Sequence, residues 1–191
     1  MKFIKTKILD IVIIEPVVHG DERGYFVETF RQDLLDEFLG FKVKFCQDNE
    51  SKSCKGVLRG LHFQLPPFAQ SKLVRVIKGA VLDVAVDIRV GSPTFGKHVT
   101  VKLSEQNKKQ LFIPRGFAHG FVVLEDDTIF SYKVDNFYSK ECDRGLAFDD
   151  DKTNIDWLLD KNELKLSDKD QNQPTLKQTP ALFEYGVDYY V

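Results

Sequence analysis

The stretch from Gly56 to Val74, GVLRGLHFQLPPFAQSKLV, sets Arg59, His62, Gln64, Gln70 and Lys72 among Val, Leu, Phe and Pro. That apolar background reads as a buried strand, and a strand that only packs a core has no use for a guanidinium, an imidazole and an ammonium. Imidazole titrates near neutral pH, so His62 is the candidate general base. Arg59 and Lys72 supply positive charge for a phosphate or for an enolate oxygen. Strict alternation puts Arg59 and His62 on opposite faces. Both reach one pocket only if Gly60 allows a bulge or a twist.

A second cluster is IPRGFAHGF, residues 113–121, where Pro114, Gly116 and His119 have the Pro-x-Gly-x-x-His spacing of the second cupin motif. In metal cupins that histidine is a ligand. The first cupin motif, Gly-x5-His-x-His, is half present: Gly56 and His62 fit, but Gln64 takes the place of the second histidine. Lys72 stands where a metal cupin has glutamate. Two histidines with an amide and an ammonium make a poor divalent-metal site, so no metal and no other cofactor is expected.

The elements that must hold these residues follow from period-2 patterns. In AVLDVAVDIR, Leu82, Val84, Val86 and Ile88 share one face, and Asp83, Ala85 and Asp87 share the other. Asp83 and Asp87 read as sheet-face charges. KHVTVKL places Val99, Val101 and Leu103 inward, and TIFSYKV groups Phe130, Tyr132 and Val134. Turn signals separate the strands at Lys78-Gly79, Gly91-Ser92-Pro93, Glu105-Gln106-Asn107, Pro114-Arg115-Gly116 and Glu125-Asp126-Asp127. Such spacing predicts an all-β sandwich or small barrel. Helix is expected at Phe30–Gly40 and around Ile155–Lys161. The polar segment from about 150 to 191 is expected to wrap on the barrel, so residues 1–191 read as a single domain.

Composition narrows the function. The chain has 191 residues, enough for one sizeable domain. A net charge of −2 without a basic block argues against nucleic acid. Cys46, Cys54 and Cys142 are an odd number without CxxC spacing, and read as free thiols of a cytoplasmic protein. Lys5, Lys7 and Asp10 interrupt MKFIKTKILDIVIIEP, so neither a signal peptide nor a membrane span is expected.

Seven segments carry a specific resemblance: GDERGYFVETF (20–30), FCQDNESKS (45–53), GVLRGLHFQLPPFAQSKLV (56–74), DVAVDIRVGSPTFG (83–96), IPRGFAHGFVVL (113–124), YKVDNFYSKECDRG (132–145) and LSDKDQNQP (166–174). In this order they resemble the dTDP-4-dehydrorhamnose 3,5-epimerase family of RmlC-like cupins, over most of the chain. The resemblance implies a cupin jelly-roll β-barrel with a few short helices and a C-terminal wrapping tail, usually as a homodimer. It implies metal-free inversion of carbons 3 and 5 of a nucleotide-linked 4-keto-6-deoxy sugar. His62 matches the family's base, Asp170 the carboxylate that orients it, Lys72 the enolate-stabilising cation and Tyr132 the acid on the opposite face.

The same resemblance carries over Arg23, Arg59 and Lys169 as nucleotide-sugar contacts. Phe26, Glu28, Gln47, Asn49 and His119 match further pocket positions, and Tyr138 the aromatic that stacks on the nucleobase. Asp143 stands where the family usually has glutamate, one methylene longer. Relatives with the same catalytic set act on GDP-linked 6-deoxyheptoses or invert carbon 3 only, so both stay open here. From other classes remain a metal-dependent cupin using His62 and His119, and a non-catalytic nucleotide-sugar binder.

Overall fold

The computed structural model describes residues 1–179 and 182–190; Pro180, Ala181 and Val191, within the tail read above, lie outside the described residues. The chain opens with β1 (Lys2–Lys5), β2 (Val12–Glu15), the hairpin β3 (Val18–Asp21) and β4 (Gly24–Val27), and helix α1 (Gln32–Leu39). Then come β5 (Gln47–Ser53), β6 (Leu58–Gln64), β7 (Lys72–Lys78), β8 (Ala80–Asp87), β9 (Arg89–Val90) and β10 (His98–Ser104). The last elements are β11 (Gln110–Ile113), β12 (Phe117–Val123), β13 (Thr128–Val134), β14 (Asp143–Gly145), the single-turn α2 (Asp168–Gln171) and β15 (Phe183–Glu184).

Two antiparallel sheets form the jelly-roll barrel. One has the order β1-β2-β11-β7-β13-β5 and the other β10-β8-β12-β6-β14. Alternation sorts their side chains into three apolar clusters. Val74 and Val76 of β7, Val81 and Ala85 of β8, Phe121 of β12 and Phe130 of β13 fill the space between the sheets. The outer face of the five-stranded sheet presents Leu82, Val84, Val86 and Ile88, and these are covered by Trp157, Leu176 and Phe183 from the C-terminal segment. Every residue of β8 is therefore buried, which explains its lack of an exposed polar face.

The six-stranded sheet turns Val12, Ile14, Leu73 and Phe112 outward, where Leu35 and Phe38 of α1 pack on them. Helix α1 ends at Gly40, in the left-handed region (φ 77°), which lets its N–H bond back to Asp36. The expected helix around Ile155–Lys161 is absent. Asn154 and Leu158 have positive φ there, and Trp157 is pulled onto the sheet with its indole N–H on the Phe148 carbonyl. Tertiary cover overrode helix propensity in that segment; its neighbour 161–163 makes only a 3-10 turn.

Candidate active site

Position Gly60 resolves the conflict posed by alternation. Strand β6 pairs with β12 so that His62 lies opposite His119 but Arg59 lies opposite Phe121. Three residue steps on β6 thus match two on β12: one extra residue is accommodated as a bulge. Gly60 has φ 118°, and a Cβ there would lie 2.6 Å from the Gly120 Cα. Only glycine fits both the conformation and the approach. The bulge turns Arg59 and His62 toward one hollow of about 380 Å³, shared with Lys72, His119 and Tyr132.

Two histidine–aspartate pairs stand side by side on this sheet. His62 Nε2 is 2.6 Å from Asp170 Oδ1, a contact across 108 residues of chain. Asp170 is buried and sits on α2, whose N-cap Ser167 donates its hydroxyl to Asp170 Oδ2 and accepts the Asp170 N–H. Burial pushes the Asp170 carboxyl up, but the bonds from His62 and Ser167 outweigh it and hold it below the ordinary carboxylate value. In the second pair, His119 Nε2 is 3.0 Å from Asp83, and both residues are buried. Here burial dominates: it lowers His119 and raises Asp83, against their mutual attraction.

Lys72 and Tyr132 come from the other sheet, on β7 and β13, and so face His62 across the barrel. Burial pushes the Lys72 ammonium down to about 8, although Asp83 and Asp143 pull it back up. The Tyr132 phenol is raised by burial, against the Arg59 charge, and stays protonated and able to donate. Across the hollow an imidazole on one sheet thus faces a phenol and an ammonium on the other, groups of the types that can take a proton, donate one and stabilise negative charge.

A second lobe of about 410 Å³ continues outward from His62, Lys72 and Tyr132, lined by Gln47, Asn49, Tyr138, Asp143 and Lys169. Gln47 donates to Asn49 on β5. The Asp143 carboxylate accepts from the Tyr138 hydroxyl at 3.2 Å and from the Lys169 ammonium, linking the rim to α2. Gln64 and Gln70 turn out to be brackets: Gln64 bonds the Phe68 and Phe137 carbonyls and the Ser139 N–H, and Gln70 the Asn136 carbonyl. They hold the loop that presents Tyr138.

Arg23, Phe26 and Glu28 do not reach this cleft within one chain. Arg23 is exposed at the turn of the β3–β4 hairpin, paired with Asp21, and Phe26 is 70% exposed on it. Glu28 lies by Arg31, ahead of α1. Two further side chains join the site. Asp83, which reads from the sequence as a sheet-face charge, is buried against His119; an acid within an otherwise apolar strand is the signal of such a buried partner. Ser167 precedes an acidic turn as an N-cap does. Among the described residues no three His, Cys, Asp or Glu side chains converge as a metal site requires.

A family model described as dTDP-4-dehydrorhamnose 3,5-epimerase matches residues 5–178. A protein of that name from Shigella flexneri is 60% identical over 172 residues, 90% of this chain and 94% of the relative. Among solved structures, the dTDP-6-deoxy-D-glucose-3,5-epimerase RmlC from Legionella pneumophila, in complex with dTDP-4-keto-L-rhamnose, superimposes with a TM-score of 0.93. It is 47% identical, covering 97% of this chain and 99% of its own. More distant is ChmJ, a 3'-monoepimerase from Streptomyces bikiniensis in complex with dTDP-quinovose, with a TM-score of 0.85 and 34% identity over 91% of this chain and 87% of its own. A sugar-nucleotide isomerase is what this cleft and these relatives describe together, and the chain belongs to the dTDP-4-dehydrorhamnose 3,5-epimerase family.

Proposed function

We propose that the enzyme converts dTDP-4-dehydro-6-deoxyglucose to dTDP-4-dehydro-L-rhamnose by inverting carbons 3 and 5 without a metal. The observation that carries this reading is the projection of His62 and Tyr132 from facing sheets, with Lys72 beside them. The proton next to the C4 ketone goes to the His62 nitrogen not engaged by Asp170, and the imidazolium formed is stabilised by that carboxylate. The electron pair moves onto the ketone oxygen, where the Lys72 ammonium stabilises the enolate. Tyr132 returns a proton to that carbon from the other face; His62 then gives its proton to solvent and Tyr132 regains one from it, and the same cycle at the second carbon completes the double inversion.

The outer lobe takes the nucleotide. Tyr138 stacks on the base, while Arg59 and Lys169 meet the diphosphate. Arg23, Phe26 and Glu28 fit the same role if a homodimer lets the hairpin of a second copy close the cleft. Exposure of Tyr25 and Phe26 on an isolated two-stranded ribbon supports that assembly. We place the reaction in the cytoplasm, consistent with three free thiols; among the described residues no helix is long and apolar enough to cross a membrane.

A second reading, inversion at carbon 3 only, is favoured by the likeness to ChmJ. Incubation of dTDP-4-keto-6-deoxyglucose in deuterated water, followed by NMR, separates the two, with a GDP-linked 4-keto-6-deoxyheptose as the alternative substrate. Deuterium at carbons 3 and 5 of the dTDP sugar is the expected result. Deuterium at carbon 3 alone selects the monoepimerase, and exchange only in the heptose overturns the substrate assignment.

A further inference from the structure

We propose that Tyr190 is a positioning residue of the reaction: its hydroxyl, delivered by the C-terminal tail, fixes the strand start that carries Lys72. The inference rests on the enolate-stabilising role given to Lys72 above. Lys72 is the first residue of β7, and it lines both lobes of the cleft. It lies opposite Ile113 of β11 and Val134 of β13, the last residue of each of those strands. The end of a ladder is where strands open most easily, because no further pair holds them from beyond.

The tail closes that end. Tyr190 Oη lies 2.7 Å from the hydroxyl of the fully buried Ser71 and accepts the Arg115 N–H at 3.2 Å. Asp135 completes the tie: one carboxylate oxygen accepts the Ser71 N–H at 2.6 Å and the other the Arg115 Nε–H at 3.1 Å. Ser71, Arg115 and Asp135 lie just outside β7, β11 and β13, so the phenol and the carboxylate together join all three strand ends. The Tyr190 ring is held as well, its centroid 4.6 Å from that of Phe41 and 5.0 Å from the Arg115 guanidinium. Consecutive tail residues clip the two sheets together here. Tyr189 packs with Phe183 on the outer face of the five-stranded sheet, and Tyr190 joins the cluster on the six-stranded one. The Arg115 guanidinium also donates to the Tyr189 carbonyl, and β15 pairs with β9. Tyr190 lies beyond residues 5–178, so the tie is built from a segment outside the family match.

A misplacement of about 1 Å at the ammonium is costly to rate, whereas the contacts proposed for the nucleotide come from Tyr138 and Lys169 on other segments. Tyr190→Phe keeps the ring and removes only the hydroxyl. In it kcat falls on the order of tenfold with KM within about twofold, and substrate-free hydrogen exchange at the Ser71 amide quickens about tenfold. Ser71→Ala cuts the same bond from its other side, so the double variant loses no more than either single one. An unchanged kcat overturns the proposal, whatever the thermal midpoint does. So do a loss carried by KM alone, an unchanged Ser71 amide, or losses that multiply in the double variant. Should Tyr190→Phe not fold, Ser71→Ala is read for kcat and KM with the same outcomes. The amide measurement needs no sugar. A wild type that exchanges no sugar proton rejects the epimerase reading and the role of Lys72 with it; a faster Ser71 amide in Tyr190→Phe then leaves the tie itself standing.

Discussion

The two histidine–aspartate pairs are cross-strand neighbours built from the same groups, yet their surroundings assign them different work. In the first, 29% of the His62 side chain is open to the cleft and its 2.6 Å bond runs to a carboxylate that Ser167 also satisfies. In the second, His119 is 7% exposed and Asp83 not at all, at a longer 3.0 Å. An imidazole that exchanges protons with substrate needs an open nitrogen and a partner that stabilises its charged form. One walled in by Phe121 and Phe130 is held neutral by desolvation and serves as a hydrogen-bonding group. Burial, more than residue identity, divides the labour.

That division is open to attack by mutation. His62→Ala removes the proposed base and is expected to cost on the order of 10³-fold in kcat, with deuterium uptake lost at both carbons; undiminished exchange would end the assignment. Gly60→Ala strikes the bulge that brings the pairs together. A Cβ meeting Gly120 in a positive-φ conformation is expected to cost about 3 kcal/mol, read as a lowered urea midpoint. An unchanged midpoint would mean that the bulge tolerates a side chain. Smallest is His119→Gln, which keeps a donor for Asp83: KM rises about tenfold while kcat changes by less than about threefold. A kcat loss as large as that of His62→Ala would erase the distinction between the two pairs.

Much of this was legible before folding. The apolar alternation of AVLDVAVDIR marked β8, LLDEFLG marked α1, and polar residues out of place in GVLRGLHFQLPPFAQSKLV marked the cleft. Legibility failed where the determining contact is remote. Nothing local to Ile155–Lys161 says that Trp157 will be drawn onto β8's outer face, so a helix was expected and none formed. Nothing local to Asp83 shows which group it meets, because His119 arrives from β12. The hairpin residues Arg23, Phe26 and Glu28 looked like members of the site and lie away from it within one chain.

Sequence alone determined the alternating strands, the turn positions, the chemical types in the cleft and the family resemblance, because side-chain direction in a strand and turn propensity are properties of near neighbours. Tertiary structure decided which way Gly60 bends β6, which of two histidines stays open to the cleft, and that Asp170 closes on His62 across 108 residues. Those outcomes depend on desolvation and on pairing between strands distant in the chain. Both come into being only when the two sheets close on each other.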